Sequence, residues 1–322
     1  MCDCQLLSTV LMMAQVCAAM STLRKSAPLL LQRLQQGISV TPIELIYTSH
    51  SRWPQPHSET IQQHSNRPLR ISILDSSFNP PTLAHLALAN SPRPSYIEQN
   101  SETQDTSGYD AKLFLLSVKN ADKSLKAGDA TYQQRLEMML LLSKDVIESQ
   151  HEAAANVAIA IIDKPTFVEK SSALLDFLQR RLTNPLPVEL TFLVGLDTLE
   201  RLFSPRYYTS ETDMMASLRQ FLSAAPQGDN SRIVCAKRVS SAQSPENLED
   251  IPSLALAKEF RESDRIVIID IGNVVNRYSS SAIRSAIGRF GFGQPVDQDG
   301  GWKSMVTREI ADYIVEQRLY VN

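Results

Sequence analysis

Ser77-Phe-Asn-Pro-Pro-Thr-Leu-Ala-His85 packs two hydroxyls, an amide and an imidazole into one short, proline-containing stretch. Thr82 stands where an N-cap belongs, just before the apolar run Leu83 to Ala89, and His85 follows three residues on. Both side chains can therefore point to the start of a helix. That end has unpaired backbone N–H groups and the positive end of the dipole, and both attract phosphate. A cradle for a nucleotide triphosphate is the chemistry expected. Taken alone, Thr-x-x-His also fits an ordinary strand–loop–helix turn with a surface histidine.

A second group lies far along the chain, in Tyr278-Ser-Ser-Ser-Ala-Ile-Arg284. Ser279 or Ser280 reads as the N-cap of a helix over 282–288. Arg284 is four residues from Ser280 and three from Ser281, hence on the same helical face. Hydroxyls, free N–H groups and a guanidinium one turn in make a second phosphate grip. By itself this segment also fits a serine-rich cap followed by a solvated arginine.

Elements must bring these groups together. Ile71-Ser-Ile-Leu74 runs apolar without alternation, as expected of a strand covered on both faces. Further strands are expected over 112–118, 156–163, 188–194, 233–238 and 265–271. Helices are expected over 132–149, 171–183, 198–203, 253–261 and 302–319, with loops over 91–110 and 240–252. Strands alternating with helices at this spacing predict an α/β fold with a doubly wound parallel sheet. In such sheets ligands sit at the carboxyl ends of the strands, near the point where strand order reverses. Both groups fall at such ends.

Before the first of these strands, residues 28–36 predict an amphipathic helix with Leu29, Leu30, Leu31 and Leu34 facing the core, and 43–48 a strand. A polar linker follows over 51–67. The apolar first twenty residues carry only Asp3 as a charge and are broken by Gln5, Ser8, Thr9 and Gln15. That composition does not fit a secretory leader or a bilayer span. Arg24, Lys25 and Arg33 without an acid faintly resemble a transit peptide, but the amphipathic helix is the reading adopted. No membrane contact is expected, and the cytoplasm, with the nucleus, is the expected compartment.

With 322 residues the chain can bury a sizeable core. Its 32 basic and 35 acidic residues give a net charge of -3, so no basic surplus points to nucleic acid. Four scattered cysteines make no disulfide scaffold, and Cys2-x-Cys4 has no second pair beside it to complete a metal site. The five histidines show no metal-ligand spacing. Nothing in the pattern sets an oligomeric state.

Together, the two groups resemble the paired signatures of the HIGH-type nucleotidyltransferases. These are a Gly-Ser/Thr-Phe-Asp/Asn-Pro-x-His/Thr-x-x-His loop and an Ile-Ser-Ser-Thr-x-x-Arg loop. Leu193-Val-Gly-Leu-Asp197 is similar to the family's Gly-x-Asp segment, and Tyr132-Gln-Gln-Arg-Leu-Glu-Met138 to its helix after the second strand. Asn79-Pro-Pro-Thr82 looks like the nicotinamide mononucleotide adenylyltransferases, and Leu-Asp-Ser-Ser-Phe-Asn-Pro-Pro like a fungal branch of them. The resemblance covers about residues 70 to 290. It implies a Rossmann-like nucleotidyltransferase domain over 67–322, with 1–66 as an N-terminal extension.

The implied reaction joins ATP and nicotinamide mononucleotide into NAD and pyrophosphate, with Mg²⁺ carried on the ATP and no metal site of the protein's own. The implied catalytic residues are His85 and Arg284. Ser77, Phe78, Thr82, His85, Asp197, Ser280, Ser281 and Arg284 would bind ATP, with Asp197 toward the adenosine. Phe78, Asn79 and Phe167 would shape the acceptor side, although Phe167 equally fits a buried core phenylalanine. Lys119 or Lys123 could steer phosphate, though solvated loop lysines account for them as well. Two features depart from the family: Ser76 stands where it has a glycine, and its nicotinamide-stacking tryptophan is replaced by Asp163-Lys-Pro-Thr-Phe167. Two further readings keep the ATP site. One is an ATP-hydrolysing protein or a transferase for another phosphorylated acceptor; the other is a non-catalytic, nucleotide-regulated binding protein.

Overall fold

The computed structural model describes residues 2–55, 67–97, 104–105, 108–119, 126, 128–149, 156–182, 186–237, 252–293 and 301–321. Its strands are β1 (Ile43–Thr48), β2 (Leu69–Asp75), β3 (Tyr96–Ile97), β4 (Gln104–Asp105), β5 (Ala111–Ser117), β6 (Val157–Ile162), β7 (Val188–Gly195), β8 (Arg232–Ala236) and β9 (Ile266–Ile269). Its helices are α1 (Cys2–Gln35), α2 (Leu83–Ala89), α3 (Tyr132–Ser149), α4 (Phe167–Arg181), α5 (Leu196–Leu202), α6 (Glu211–Leu222), α7 (Pro252–Ala255), α8 (Lys258–Glu262), α9 (Ser280–Phe290) and α10 (Arg308–Glu316).

Seven strands form one sheet in the order β1-β6-β5-β2-β7-β8-β9, and β3 pairs with β4 apart from it. All neighbours are parallel except β1, which runs antiparallel to β6 at the edge. From β2 the chain winds outward through β5 to β6, then returns to the other side of β2 to place β7, β8 and β9. Strand order thus reverses at β2 and β7, where a crevice opens at the carboxyl ends. Asp75 ends β2 and Gly195 ends β7.

Alternation along the buried strands sends neighbouring residues to opposite faces. Leu74, Phe114, Leu116, Val157, Ile159 and Ile161 pack under α1, α2, α3, α9 and α10. Ile71, Ile73, Leu113, Leu115, Ala158 and Ile162 pack under α4 to α8. Each face therefore has its own apolar core, which explains why the central strands read as unbroken hydrophobic runs. Among the described residues no helix is long and apolar enough to cross a membrane.

Several elements differ from the sequence reading. The first helix is much longer than 28–36, continues through Pro28, and exposes Leu29 while burying Leu23, Ala27, Leu31 and Leu34. The segment read as an extension supplies this helix and edge strand β1 to the common core and sheet. Helix α4 begins earlier than 171, at a capping box in which Thr166 and Glu169 satisfy each other's backbone N–H groups. Helix α6 lies in a stretch for which no element was expected. The expected helix over 253–261 is two short ones, and that over 302–319 is a 3₁₀ turn followed by α10. The 91–110 segment is not wholly exposed, since Arg93 is buried and bonded to Glu189. Most of the 240–252 loop, and Lys123, lie outside the described residues.

Glu137 on α3 fixes α1 and α10 to the same face. It accepts Arg24 Nη2 at 2.7 Å and Tyr313 Oη at 3.1 Å. Leu34→Ala, at a side chain of 1% exposure on α1, should therefore lower unfolding free energy by about 2–5 kcal/mol in urea denaturation. An unchanged midpoint would mean that α1 is not part of this core.

Candidate active site

The loop from Ser76 to Pro81 leaves the end of β2 and is held by side chains rather than by a ladder. Phe78 adopts φ 46°, a conformation uncommon for a residue with a side chain, and is fully buried. Its ring packs 6.1 Å from Phe114 and 5.7 Å from the His85 ring. Phe78 therefore anchors the loop from below and does not line the cavity. Asn79, followed by a cis peptide to Pro80, makes three side-chain hydrogen bonds. Its Nδ2 donates to Asp129 Oδ1 at 2.8 Å, while Oδ1 accepts from Ala130 N–H at 3.2 Å and Tyr320 Oη at 3.0 Å.

Helix α9 closes on this loop from the far end of the sequence. Ser279 caps it by accepting Ala282 N–H at 3.1 Å. Ser280 Oγ donates to the Pro80 carbonyl at 2.7 Å, and Arg284 Nη1 donates to the Asn79 carbonyl at 2.5 Å. The two motifs, some two hundred residues apart, are thus in direct contact. Arg284 Nε also lies 3.5 Å from Asp129 Oδ1.

Arg135 of α3 completes the wall, donating Nε to the Ala130 carbonyl at 2.9 Å and Nη1 to the Ser77 carbonyl at 3.3 Å. Burial raises the Asp129 carboxyl pKa, but this is outweighed by the Lys126 N–H, the Asn79 amide and the guanidiniums of Arg284 and Arg135. The net result holds it below the usual carboxylate range.

Between these elements lies a cavity of about 400 Å³. Its lining includes five cations, Lys126, Arg135, Lys170, Arg201 and Arg284, against two carboxylates, Asp75 and Asp129. A chain of net charge -3 thus concentrates positive charge at one place, as an anionic ligand requires. Both carboxylates are engaged, Asp129 as described and Asp75 by Lys170 Nζ at 2.5 Å. No group of three His, Cys, Asp or Glu suited to a metal occurs among the described residues. The lining also includes Thr166, Phe167 and Tyr208. Phe167 packs edge-on to Phe192 and carries Lys170 Nζ 5.0 Å from its ring centre. Burial pushes the Tyr208 hydroxyl up to about 12, so it stays neutral and donates to the Leu202 carbonyl.

His85 stands behind the lining. Its Nδ1 accepts the Thr82 backbone N–H at 3.0 Å, so His85 takes the part that Glu or Gln usually plays in a capping box. Its Nε2 lies 2.9 Å from Ser76 Oγ. Enclosure by protein lowers its pKa to about 4, so the ring is neutral at physiological pH.

Of the residues singled out from the sequence, Ser77, Asn79, Phe167 and Arg284 line the cavity. Thr82 and His85 form the loop's supporting layer, and Ser280 ties α9 to the loop. Ser281 is exposed and Asp197 lies on the exposed first turn of α5, whereas its neighbour Thr198 and Arg201 reach the lining. Lys119 pairs with Asp163 at 3.7 Å. Sequence reading missed Asp129, Arg135, Lys170 and Tyr320. Arg135 lies inside the family-like Tyr132–Met138 segment and was within reach; Tyr320 carried no signal.

No family model matches the chain. A Schizosaccharomyces pombe protein named "Putative nicotinamide mononucleotide adenylyltransferase" is 33% identical over 224 residues, covering 67% of this chain and 75% of that protein. A solved structure of Plasmodium falciparum nicotinic acid mononucleotide adenylyltransferase complexed with APC is 14% identical, covers 78% of this chain and 96% of its own, and superposes with a TM-score of 0.42. With both motifs joined at a cationic crevice and a relative of this identity across most of its length, the chain belongs to the nicotinamide mononucleotide adenylyltransferase family of nucleotidyltransferases.

Proposed function

We propose that the protein transfers the adenylyl group of ATP to nicotinamide mononucleotide, releasing pyrophosphate and forming NAD. The observation that carries this reading is the Arg284–Asn79 contact at the wall of a cavity whose charged lining residues are mostly cations. The name of the fission-yeast relative supports the choice of acceptor.

In this reaction an oxygen of the acceptor phosphate attacks the α-phosphorus of ATP. The bond from that phosphorus to the β-phosphate bridging oxygen breaks, and pyrophosphate leaves with the electron pair. The acceptor phosphate is already largely ionised at neutral pH, so no side chain has to remove a proton. What the site must supply is alignment and positive charge where charge builds on the phosphate oxygens.

Arg284, Ser280 and Ser281 on α9 are assigned to the β- and γ-phosphates, and Ser77 to the adjoining oxygens. Arg284 and Ser280 now donate to loop carbonyls, which keeps them aimed at the loop before ligand arrives. Thr82 and His85 form the layer beneath, and Asn79 and Phe78 set the course of the loop. Asp197, next to the lining residue Thr198, is assigned to the adenosine side, and Phe167 to the acceptor ring. Mg²⁺ would arrive on the ATP, held by phosphates and water, because both cavity carboxylates already carry cationic or amide partners.

Purified protein given ATP, Mg²⁺ and nicotinamide mononucleotide should form NAD, and His85→Ala should slow it by about 10- to 100-fold. ATP loss that does not depend on the acceptor would replace transfer by hydrolysis. Arg284→Lys should lose most of the rate that Arg284→Ala loses, because an ammonium cannot copy a guanidinium that serves a carbonyl and phosphates at once. Full activity in the lysine variant would show that charge alone suffices at this position.

A further inference from the structure

Ser76 and His85 form a pair whose polarity can be assigned. A backbone N–H only donates, so the Thr82 N–H at 3.0 Å requires a lone pair on His85 Nδ1, and the Thr82 hydroxyl, 2.9 Å from the same nitrogen, can then only donate to it. The hydrogen-bond network therefore assigns the neutral tautomer with its proton on Nε2. That proton faces Ser76 Oγ at 2.9 Å. Since Oγ accepts from the imidazole, its own hydrogen turns elsewhere. Ser76 belongs to the cavity lining, and the half-buried His85 meets that lining through Ser76 Oγ.

A serine beside a histidine also suggests a nucleophile and its base. The polarity here is the reverse of what that needs, because a protonated Nε2 cannot take the serine proton. No serine–adenylate intermediate follows from this pair. Its geometry is that of a donor chain, from imidazole to hydroxyl to cavity.

We propose that Ser76, not His85, meets the phosphate chain of ATP directly, donating its hydroxyl hydrogen to a phosphate oxygen, and that His85 is a positioning residue acting through Ser76. The inference rests on the proposed ATP site but not on the identity of the acceptor. It gives a role to the Ser76 side chain, whose hydroxyl stands between Nε2–H and the cavity and passes the hydrogen bond on. The low pKa of the enclosed ring fits this role, since a ring that stays neutral keeps one fixed direction of donation across the working pH range.

The test is a double-mutant cycle on the full chain, read by equilibrium ATP binding and by NAD formation. Ser76→Ala and His85→Ala should each weaken ATP binding or lower the rate by about 10- to 100-fold. The double variant should be no worse than the weaker single, because the two residues act in series. Wild-type behaviour of Ser76→Ala, or losses that multiply in the double variant, would overturn the proposal.

Ser76→Gly supplies the independent readout. It should recover activity to within a few-fold of wild type by letting Nε2–H reach the phosphate. It should also hydrate the ring and bring a new ionisation near the ordinary histidine value of about 6.5 into the rate profile. Wild type should show no histidine limb above about pH 5.5. A glycine variant as impaired as the alanine variant, with an unchanged pH profile, would contradict the relay. Matched unfolding midpoints exclude misfolding as the cause of any loss. ATP binding without NAD formation in the wild type would end the transferase reading while leaving the binding cycle to decide on Ser76.

Discussion

The site depends on holding one short loop still. Residues 76–81 leave the central strand where strand order reverses, and no ladder hydrogen bonds continue beyond Asp75 except the long Ser76 N–H contact to Leu115. Fixing each such residue costs about 1–2 kcal/mol in backbone entropy, which few local contacts offset. The chain meets this cost with partners from three directions. Phe78 is buried beneath the loop, Asn79 is bonded to the 129–130 turn and Tyr320, and α9 donates to two successive carbonyls from above. The last of these couples the chain's late segments to its opening motif. Tyr320, near the end of the sequence, is part of the same lock, well beyond the region covered by the motifs.

Charge placement follows from the same contacts. Arg284 and Arg135 share Asp129, and Lys170 is paired with Asp75. Each carboxylate holds a cation in place without cancelling the surplus, so the lining remains positive overall. Burial makes an unpaired cation costly, and pairing holds these side chains in place at the cavity wall. Cys235, by contrast, is buried in β8 with its thiol pushed up to about 12, which makes it an inert core residue.

Much of the architecture was legible because parallel strands buried on both faces leave apolar runs such as 113–116 and 157–162 that admit few other readings. The paired motifs were legible because a hydroxyl–imidazole group and a serine–arginine group at matching strand ends have little structural reason to occur together. What escaped depends on contacts between distant residues. Leu29 and Leu31 look alike in sequence, yet only the packing of α1 on α3 decides that one is exposed and the other buried. Helix α6 has an amphipathic pattern and a Ser210 cap that a closer periodicity reading would have found. The partnership of Asn79 with Asp129 and Tyr320, and the place of His85 behind Ser76, are products of tertiary geometry alone.

A crystal structure of the protein with a non-hydrolysable ATP analogue tests the central claim most directly. The account predicts the phosphate chain between the 76–79 loop and Arg284, with Ser76 Oγ in hydrogen-bond contact with a phosphate oxygen and the His85 Nδ1–Thr82 bond intact. A nucleotide bound outside this crevice, or an imidazole turned past Ser76 to touch the phosphates itself, would contradict it.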